Sequence, residues 1–143
     1  MRTIAQFLLL VFFLTSCNVL NFSEGELTTA VKLESSDVSN VQDIEATFTV
    51  RNGTDKAKTY EFNSGCQSAF KILSKGTEVF NSSQHIGCIR MLTSLTLQKR
   101  ESKVITIQKH FDVELEPGNY TFKAFLIGYE ESVSASREFV VAN

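Results

Sequence analysis

Apolar and polar residues alternate in short runs along most of the chain from residue 27 onward. In the clearest run, Ile44, Ala46, Phe48 and Val50 take every second position, with Glu45, Thr47 and Thr49 between them. Successive side chains of a β-strand point to opposite faces of the sheet. This period of two therefore predicts strands that bury one face and expose the other.

The same reasoning, with turn residues as boundaries, predicts a series of short strands. They are Leu27–Leu33, Ile44–Val50, Lys58–Phe62, Ala69–Leu73, Glu78–Asn81, Leu92–Gln98, Lys103–Lys109, Tyr120–Ile127 and Val133–Val141. The pairs Asn52-Gly53 and Lys75-Gly76 are typical of tight turns, since Asn and Gly tolerate positive φ angles. No stretch has a helical period, so residues 27–143 are predicted to form an all-β, antiparallel, immunoglobulin-like β-sandwich.

The first sixteen residues have the layout of a secretory signal peptide. Arg2 supplies a positive charge, Phe7–Leu14 is an unbroken apolar run, and the small residues Thr15 and Ser16 lead into Cys17. As a helix the apolar run would span roughly 12 Å, against a hydrocarbon core of about 30 Å. It is therefore too short for a permanent membrane anchor, and residues 1–16 are predicted to be removed.

The tetrapeptide Leu14-Thr15-Ser16-Cys17 resembles the bacterial lipobox. The resemblance implies a thioether-linked lipid on Cys17, cleavage just before it, and acylation of the new amine by a fatty acid such as palmitate. Two or more chains give stable membrane anchoring. We expect an exported bacterial lipoprotein of the cell envelope, with residues 17–26 as lipidated N-terminus and tether. The alternative is an ordinary signal peptide with a cysteine nearby by chance.

Charge and cysteine content narrow the functional class. The formal net charge is −2 and no basic run occurs, which argues against nucleic-acid binding because phosphate contacts require clustered cations. Once Cys17 carries lipid, Cys66 and Cys88 remain as an even pair in an oxidising compartment. The expected outcome is a disulfide, which would contribute about 3 kcal/mol by a loop-entropy model that is itself disputed.

A zinc site is the alternative use of these cysteines. The spacing His85-x-x-Cys88 suits a metal loop, and Cys66 would supply a third ligand. A structural zinc site normally has four ligands, and no fourth is evident. We therefore expect a disulfide, with no metal and no cofactor.

Two further groups of polar residues have side chains that could carry chemistry. Asp112, Glu114 and Glu116 alternate and would share one face of an extended segment, as a calcium site or, as we expect, a solvated edge. His85 and His110 are the only histidines, and neither lies in a nucleophile motif. The sequence therefore predicts a protein that is not an enzyme.

Four segments resemble, in order, the BsuPI family of intracellular proteinase inhibitors. They are Phe48–Asp55, Tyr60–Gly65, Gly76–Ser83 and Pro117–Phe122. The resemblance implies an all-β sandwich with a protein-binding or protease-inhibiting role, and no reactive residue transfers from it. This chain departs from the family pattern at Ser68-Ala69 and at His85–Cys88, close to both cysteines.

The functional hypothesis is protease inhibition by the loop Gln84–Met91, held by Cys88. The candidate binding residues are His85, Ile86, Gly87, Ile89 and Arg90. Either Arg90 or Ile89 would enter the specificity pocket of a protease. One alternative makes Ile89–Leu92 part of a strand with Arg90 facing water. Another makes the protein a structural or accessory envelope lipoprotein without inhibitory activity.

Overall fold

The computed structural model describes residues 26–34, 38–108 and 111–142, and these residues form nine β-strands. The strands are β1 (Leu27–Leu33), β2 (Glu45–Asn52), β3 (Lys58–Phe62), β4 (Ser68–Ser74), β5 (Thr77–Asn81), β6 (Thr93–Leu97), β7 (Ser102–Gln108), β8 (Gly118–Leu126) and β9 (Ser134–Val141). Short 3₁₀ turns lie at Val41–Asp43 and Ser82–Gln84. All nine predicted strands are confirmed, and no strand end is displaced by more than two residues.

The strands form two facing antiparallel sheets and a separate ribbon. One sheet has the order β1-β2-β7, the other has the order β5-β4-β8-β9, and β3 pairs with β6. The edge strand β1 lies against β9, where the Thr29 hydroxyl donates to the Ser134 carbonyl at 2.6 Å. This arrangement confirms the predicted antiparallel, immunoglobulin-like sandwich.

The core lies between the two sheets and follows the alternation of the sequence. Phe48 and Val50 of β2 are fully buried, and so are Ile72 of β4 and Phe122 of β8. Burying an aliphatic or aromatic side chain of this size contributes roughly 1.5–3 kcal/mol. A register shift of one residue would turn these side chains outward, so the hydrophobic pattern fixes the strand pairing.

The outer face of the four-stranded sheet carries a network of ion pairs. Lys71 contacts Glu130 at 2.9 Å and Glu78 at 3.1 Å, and Lys123 contacts Glu130 at 3.1 Å. Partial burial would raise the pKa of Glu130, but the hydrogen bonds from Lys71 and Lys123 outweigh it and lower that pKa. The Lys71 ammonium also lies 5.5 Å from the ring centroid of Phe125. The network therefore joins β4, β5, β8 and the turn that follows β8.

Short connections lead from β2 to β3 and from β6 to β7, and Asn52 lies at the corner where the two connections meet. Asn52 is fully buried, and its Nδ2 donates to the carbonyls of Lys56, Leu97 and Gln98 at 2.7, 3.1 and 3.0 Å. Its Oδ1 accepts from the N–H and the hydroxyl of Thr54. The side chain thus satisfies polar backbone groups that the corner removes from the strand ladder.

The structure corrects the expected chemistry of this turn. Asn-Gly was expected to act through positive φ angles, yet neither Asn52 nor Gly53 has one. Asn52 acts instead through its buried amide. The other predicted turn behaves as expected, because Lys75 (φ 50°) and Gly76 (φ 82°) both adopt the left-handed region and join β4 directly to β5.

The far end of the ribbon packs on the turn between β8 and β9. The ring of Tyr129 lies 5.0 Å from that of Tyr60 and 5.9 Å from that of Phe62, in edge-on geometry. The Tyr129 hydroxyl also accepts from the N–H of Glu61. These contacts hold the end of β3 beside the start of β4, where the candidate site lies.

The predicted signal peptide (residues 1–16), Cys17, His110 and all but the last residue of the tether lie outside the described residues. No helix in the described ranges is long and apolar enough to cross a membrane.

Candidate functional site

The candidate loop joins β5 to β6 and begins at a well-anchored 3₁₀ turn. Asn81 caps the turn by accepting from the N–H and the hydroxyl of Ser83. The buried Ser82 accepts at its hydroxyl from the N–H of Phe70 at 2.8 Å, which fixes the turn on β4. The Ser82 carbonyl accepts from the N–H groups of His85 and Ile86, both at 3.0 Å. The loop therefore leaves the sheet in a defined direction.

His85 is held at the start of the loop by aromatic packing. Its ring stacks on Phe80 with centroids 5.1 Å apart and an interplanar angle of 9°, and it meets Phe111 edge-on at 6.1 Å. Ile86 is half-buried, whereas Gly87 has open space around its Cα. His85 is nonetheless exposed to solvent and accessible to a partner.

Cys66 and Cys88 form a disulfide with their Cα atoms 5.6 Å apart, which confirms the expected pairing. Because the bond uses both sulfurs, neither cysteine can ligate zinc, and the alternative of a zinc site is excluded. Within the described ranges no cluster of three or more His, Cys, Asp and Glu side chains is arranged to hold a metal ion. The disulfide instead ties the middle of the loop to the segment before β4.

Two hydrogen bonds join the loop to the same segment, Ser64–Cys66. The N–H of Gly65 donates to the carbonyl of Ile89 at 2.9 Å, and the hydroxyl of Thr93 donates to the carbonyl of Ser64 at 2.7 Å. A Cβ atom at Gly65 would come within 3.0 Å of the Ile89 Cγ1, so glycine permits this close approach. Both ends of the stretch from Cys88 to Thr93 are thus fixed to the segment Ser64–Cys66.

Between these fixed points lies an exposed segment, Ile89–Leu92. Ile89 is 69% exposed, Met91 47% and Leu92 83%, and Arg90 is exposed as well. None of these four residues is in a strand, so the alternative is wrong in making Ile89–Leu92 a strand, although Arg90 does face water as that alternative stated. Three large apolar side chains are therefore exposed within four successive residues, and contiguous apolar surface is a feature of many protein-binding sites.

The surface has shallow depressions that could receive part of a ligand or partner. One of about 280 Å³ lies beside the exposed segment, lined by Glu61, Asn63, Leu92, Thr93 and Ser94. A larger one of about 640 Å³ lies at the β4–β5 turn, at the opposite end of β4 from the loop. The smaller depression is the one that a partner bound to Leu92 would reach.

The structure places all five predicted binding residues in one continuous loop, but they do not share one role. Four of them, His85, Gly87, Ile89 and Arg90, are exposed, and Ile86 is half-buried. The ring of His85 also packs on Phe80 and Phe111 at the base of the loop. Asp112, Glu114 and Glu116 of the acidic row are all exposed, and Asp112 accepts a hydrogen bond from the Asn40 side chain at 2.9 Å.

Sequence reasoning missed several residues that build the loop. Leu92 was assigned to a strand, and the hydrogen bonds of Gly65 and Thr93 were not foreseen. The only signal for Gly65 was its position next to Cys66, because a disulfide brings a second segment close to its neighbours.

The fold and the loop define an antiparallel β-sandwich protein with a constrained, exposed β5–β6 loop. The family model of BsuPI, described as intracellular proteinase inhibitor, matches residues 27–131. The chain therefore belongs to the BsuPI family, as the four sequence segments indicated.

Solved structures are similar in overall shape at low sequence identity. A β-glucosidase from Erythrobacter marinus is 15% identical with a TM-score of 0.48, covering 82% of this chain but only 15% of the enzyme. A CARDB domain from Pyrococcus furiosus in complex with di-metal ions is 20% identical with a TM-score of 0.46, covering 87% of this chain and 94% of that domain. No curated protein sequence matches the chain. At these scores the similarities carry no functional argument.

Proposed function

We propose that the protein is an exported, lipid-anchored member of this family that binds and inhibits a protease through the β5–β6 loop. The observation that carries the proposal is the exposed segment Ile89–Leu92, fixed at both ends to Ser64–Cys66. Membership of a proteinase inhibitor family supports a role in binding rather than in catalysis.

The physical reason is preorganisation. A loop that is already held in its bound shape loses little conformational entropy when it enters a protease cleft. Three links to one segment hold this loop: the Cys66–Cys88 bond, the Gly65–Ile89 hydrogen bond and the Thr93–Ser64 hydrogen bond. Ile89, Met91 and Leu92 then offer exposed apolar surface whose burial favours association.

The compartment is part of the proposal. The family description reads intracellular, whereas a stable disulfide favours an oxidising, extracytoplasmic compartment. An extracytoplasmic compartment is also favoured by the signal-like residues 1–16 and by the lipobox-like sequence at Cys17. From Cys17 to the start of β1 at Leu27, a fully extended tether would reach at most about 35 Å, enough to hold the domain close to a membrane surface.

Inhibition is tested with the mature protein in detergent, titrated against serine and cysteine proteases of different specificity. We expect at least one protease to be inhibited at micromolar concentration or below. Leu92→Ser should weaken inhibition by about tenfold, since it removes roughly 1–2 kcal/mol of apolar contact. Val140→Ser is the matched control, because Val140 is 61% exposed on β9, outside the loop. Equal loss in both variants, or no inhibition of any protease, contradicts the proposal.

The anchor is tested separately by intact-mass measurement of the protein purified from cell membranes. We expect a chain that begins at Cys17 and carries the added mass of fatty acyl groups. A Cys17→Ser variant should remain uncleaved and lose the added mass. A native protein with its leader intact and no lipid contradicts export as a lipoprotein but leaves the inhibitory loop untouched.

A further inference from the structure

The loop offers two side chains to a protease specificity pocket, Ile89 and Arg90, and the backbone distinguishes them. A loop that binds a protease in the manner of a substrate places one carbonyl in the oxyanion hole. That carbonyl belongs to the residue in the specificity pocket, and backbone N–H groups of the enzyme donate to it. The carbonyl must therefore be free of partners within the inhibitor.

The carbonyl of Ile89 is already occupied. It accepts the N–H of Gly65 at 2.9 Å, and the neighbouring residue is fixed by the Cys66–Cys88 bond. The Ile89 side chain also leans on Gly65, since its Cγ1 lies where a Cβ of residue 65 would be crowded at 3.0 Å. Ile89 is thus the last fixed residue on the N-terminal side of the exposed segment.

Arg90 has the opposite properties. In the part of the chain that the structure describes, no hydrogen bond engages the backbone of Arg90, Met91 or Leu92. The Arg90 side chain is exposed and makes no ion pair with another described residue. The chain is fixed again at Thr93 through Ser64. Between the fixed residues Ile89 and Thr93, Arg90 therefore has an exposed guanidinium group and a backbone carbonyl that no hydrogen bond engages.

We infer that Arg90 is the residue that occupies the specificity pocket, and that the partner is a protease that cleaves after arginine. The inference rests on the proposed inhibitory function. A carboxylate at the base of such a pocket pairs with a guanidinium through two parallel hydrogen bonds, which an aliphatic side chain cannot form. The Arg90–Met91 peptide bond then lies at the catalytic centre, with Met91 and Leu92 on the leaving-group side.

The test measures inhibition constants of the mature protein against three proteases: trypsin, chymotrypsin and subtilisin. We expect the native protein to inhibit trypsin best. Arg90→Ala should raise the inhibition constant for trypsin by at least about a hundredfold, and Arg90→Lys should keep it within about tenfold because the charge remains. Arg90→Phe should move the preference from trypsin to chymotrypsin. Arg137→Ala, on an exposed arginine of β9, is the matched control and should change nothing.

The results test the assignment of Arg90 to the specificity pocket separately from the proposed inhibitory function. If the native protein inhibits trypsin equally well without Arg90, or prefers chymotrypsin or subtilisin, the assignment of Arg90 is wrong while the inhibitory function stands. If the native protein inhibits none of the three enzymes nor any other arginine-directed protease, the assignment of Arg90 is overturned, and the proposed function falls with it only if no protease of any specificity is inhibited. Thermal unfolding of each variant shows whether the fold is intact. Because Arg90 is exposed, its substitutions should leave the melting temperature unchanged.

Discussion

The strands of the core and the exposed segment Ile89–Leu92 are both rich in large apolar residues, yet the fold treats them in opposite ways. Phe48 and Phe122 are fully buried, whereas Leu92 is 83% exposed. The core strands have continuous hydrogen-bonded neighbours and a facing sheet, whereas the segment has only the hydrogen bond between Gly65 and Ile89 and belongs to no sheet. Apolar character alone therefore does not decide burial; the surface available for packing decides it.

The two regions also differ in how many interactions hold them. The core is fixed by continuous strand ladders, such as the seven paired positions from Leu27↔Asn52 to Leu33↔Ala46. The loop is held through a few discrete links, three of them to the segment Ser64–Cys66. A change in the core should thus reduce the stability of the whole domain, whereas a change in the exposed segment should affect binding alone.

The largest expected effect is from Phe122→Ala in β8. The side chain is fully buried, so the substitution leaves a cavity and should lower the free energy of unfolding by about 3–5 kcal/mol. Leu92→Ala is the matched control and should change it by less than about 0.5 kcal/mol. Urea unfolding followed by circular dichroism measures both. A comparable loss in the two variants would contradict the division into core and exposed segment.

The second effect is from removal of the disulfide in the double variant Cys66→Ser, Cys88→Ser. The disulfide closes a loop between residues separated by 22 positions. Because the unfolded chain gains freedom without it, its loss should lower the free energy of unfolding by about 3 kcal/mol. The amide of Gly65 should also exchange faster with solvent, because the disulfide no longer holds its hydrogen-bond partner Ile89 close to it. Hydrogen exchange of the native and double-variant proteins measures this change. Unchanged protection of Gly65 would show that hydrogen bonds alone hold the loop.

A third effect is expected at the corner, where Asn52→Ala removes the donor to the carbonyls of Lys56, Leu97 and Gln98. Buried acceptors without a donor should lower the free energy of unfolding by about 1–3 kcal/mol. The ribbon should loosen before the sheets. Asn119→Ala, at an exposed asparagine of β8, is the control. Equal stability of the two variants would remove the structural role given to Asn52.

The smallest effect is from Glu130→Gln on the outer face, with a loss of about 0.2–1 kcal/mol at pH 7. The pKa of Glu130 is lowered in the folded protein, so its stabilisation is complete above the ordinary value of 4.5. That stabilisation is lost as the pH falls through the folded value. The difference between native protein and variant should therefore vanish in acid. The neighbouring Glu131→Gln is the control, and a difference that persists in acid would assign the effect to packing.

The alternation of apolar and polar residues predicted the strands well, because it depends only on neighbouring positions in the chain. Ala46, Phe48 and Val50 mark β2 directly, and Lys75-Gly76 marks the hairpin by backbone preference. The pattern was less informative where contacts join distant segments. Leu92 looks like strand because it is apolar and precedes β6, and only the absence of a partner for Ile89–Leu92 makes it exposed.

Periodicity and motif order in the sequence are sufficient for the strands, the sandwich class and the family. The sequence favoured the pairing of Cys66 with Cys88 only through the expectation that Cys17, the third cysteine, carries lipid, and the structure shows the bond. Tertiary structure alone decided that Asn52 forms a buried corner and that Gly65 occupies the carbonyl of Ile89. Hydrogen bonds of this kind join residues that are distant in the chain, and no local pattern records which donor will meet which acceptor once the two sheets have packed.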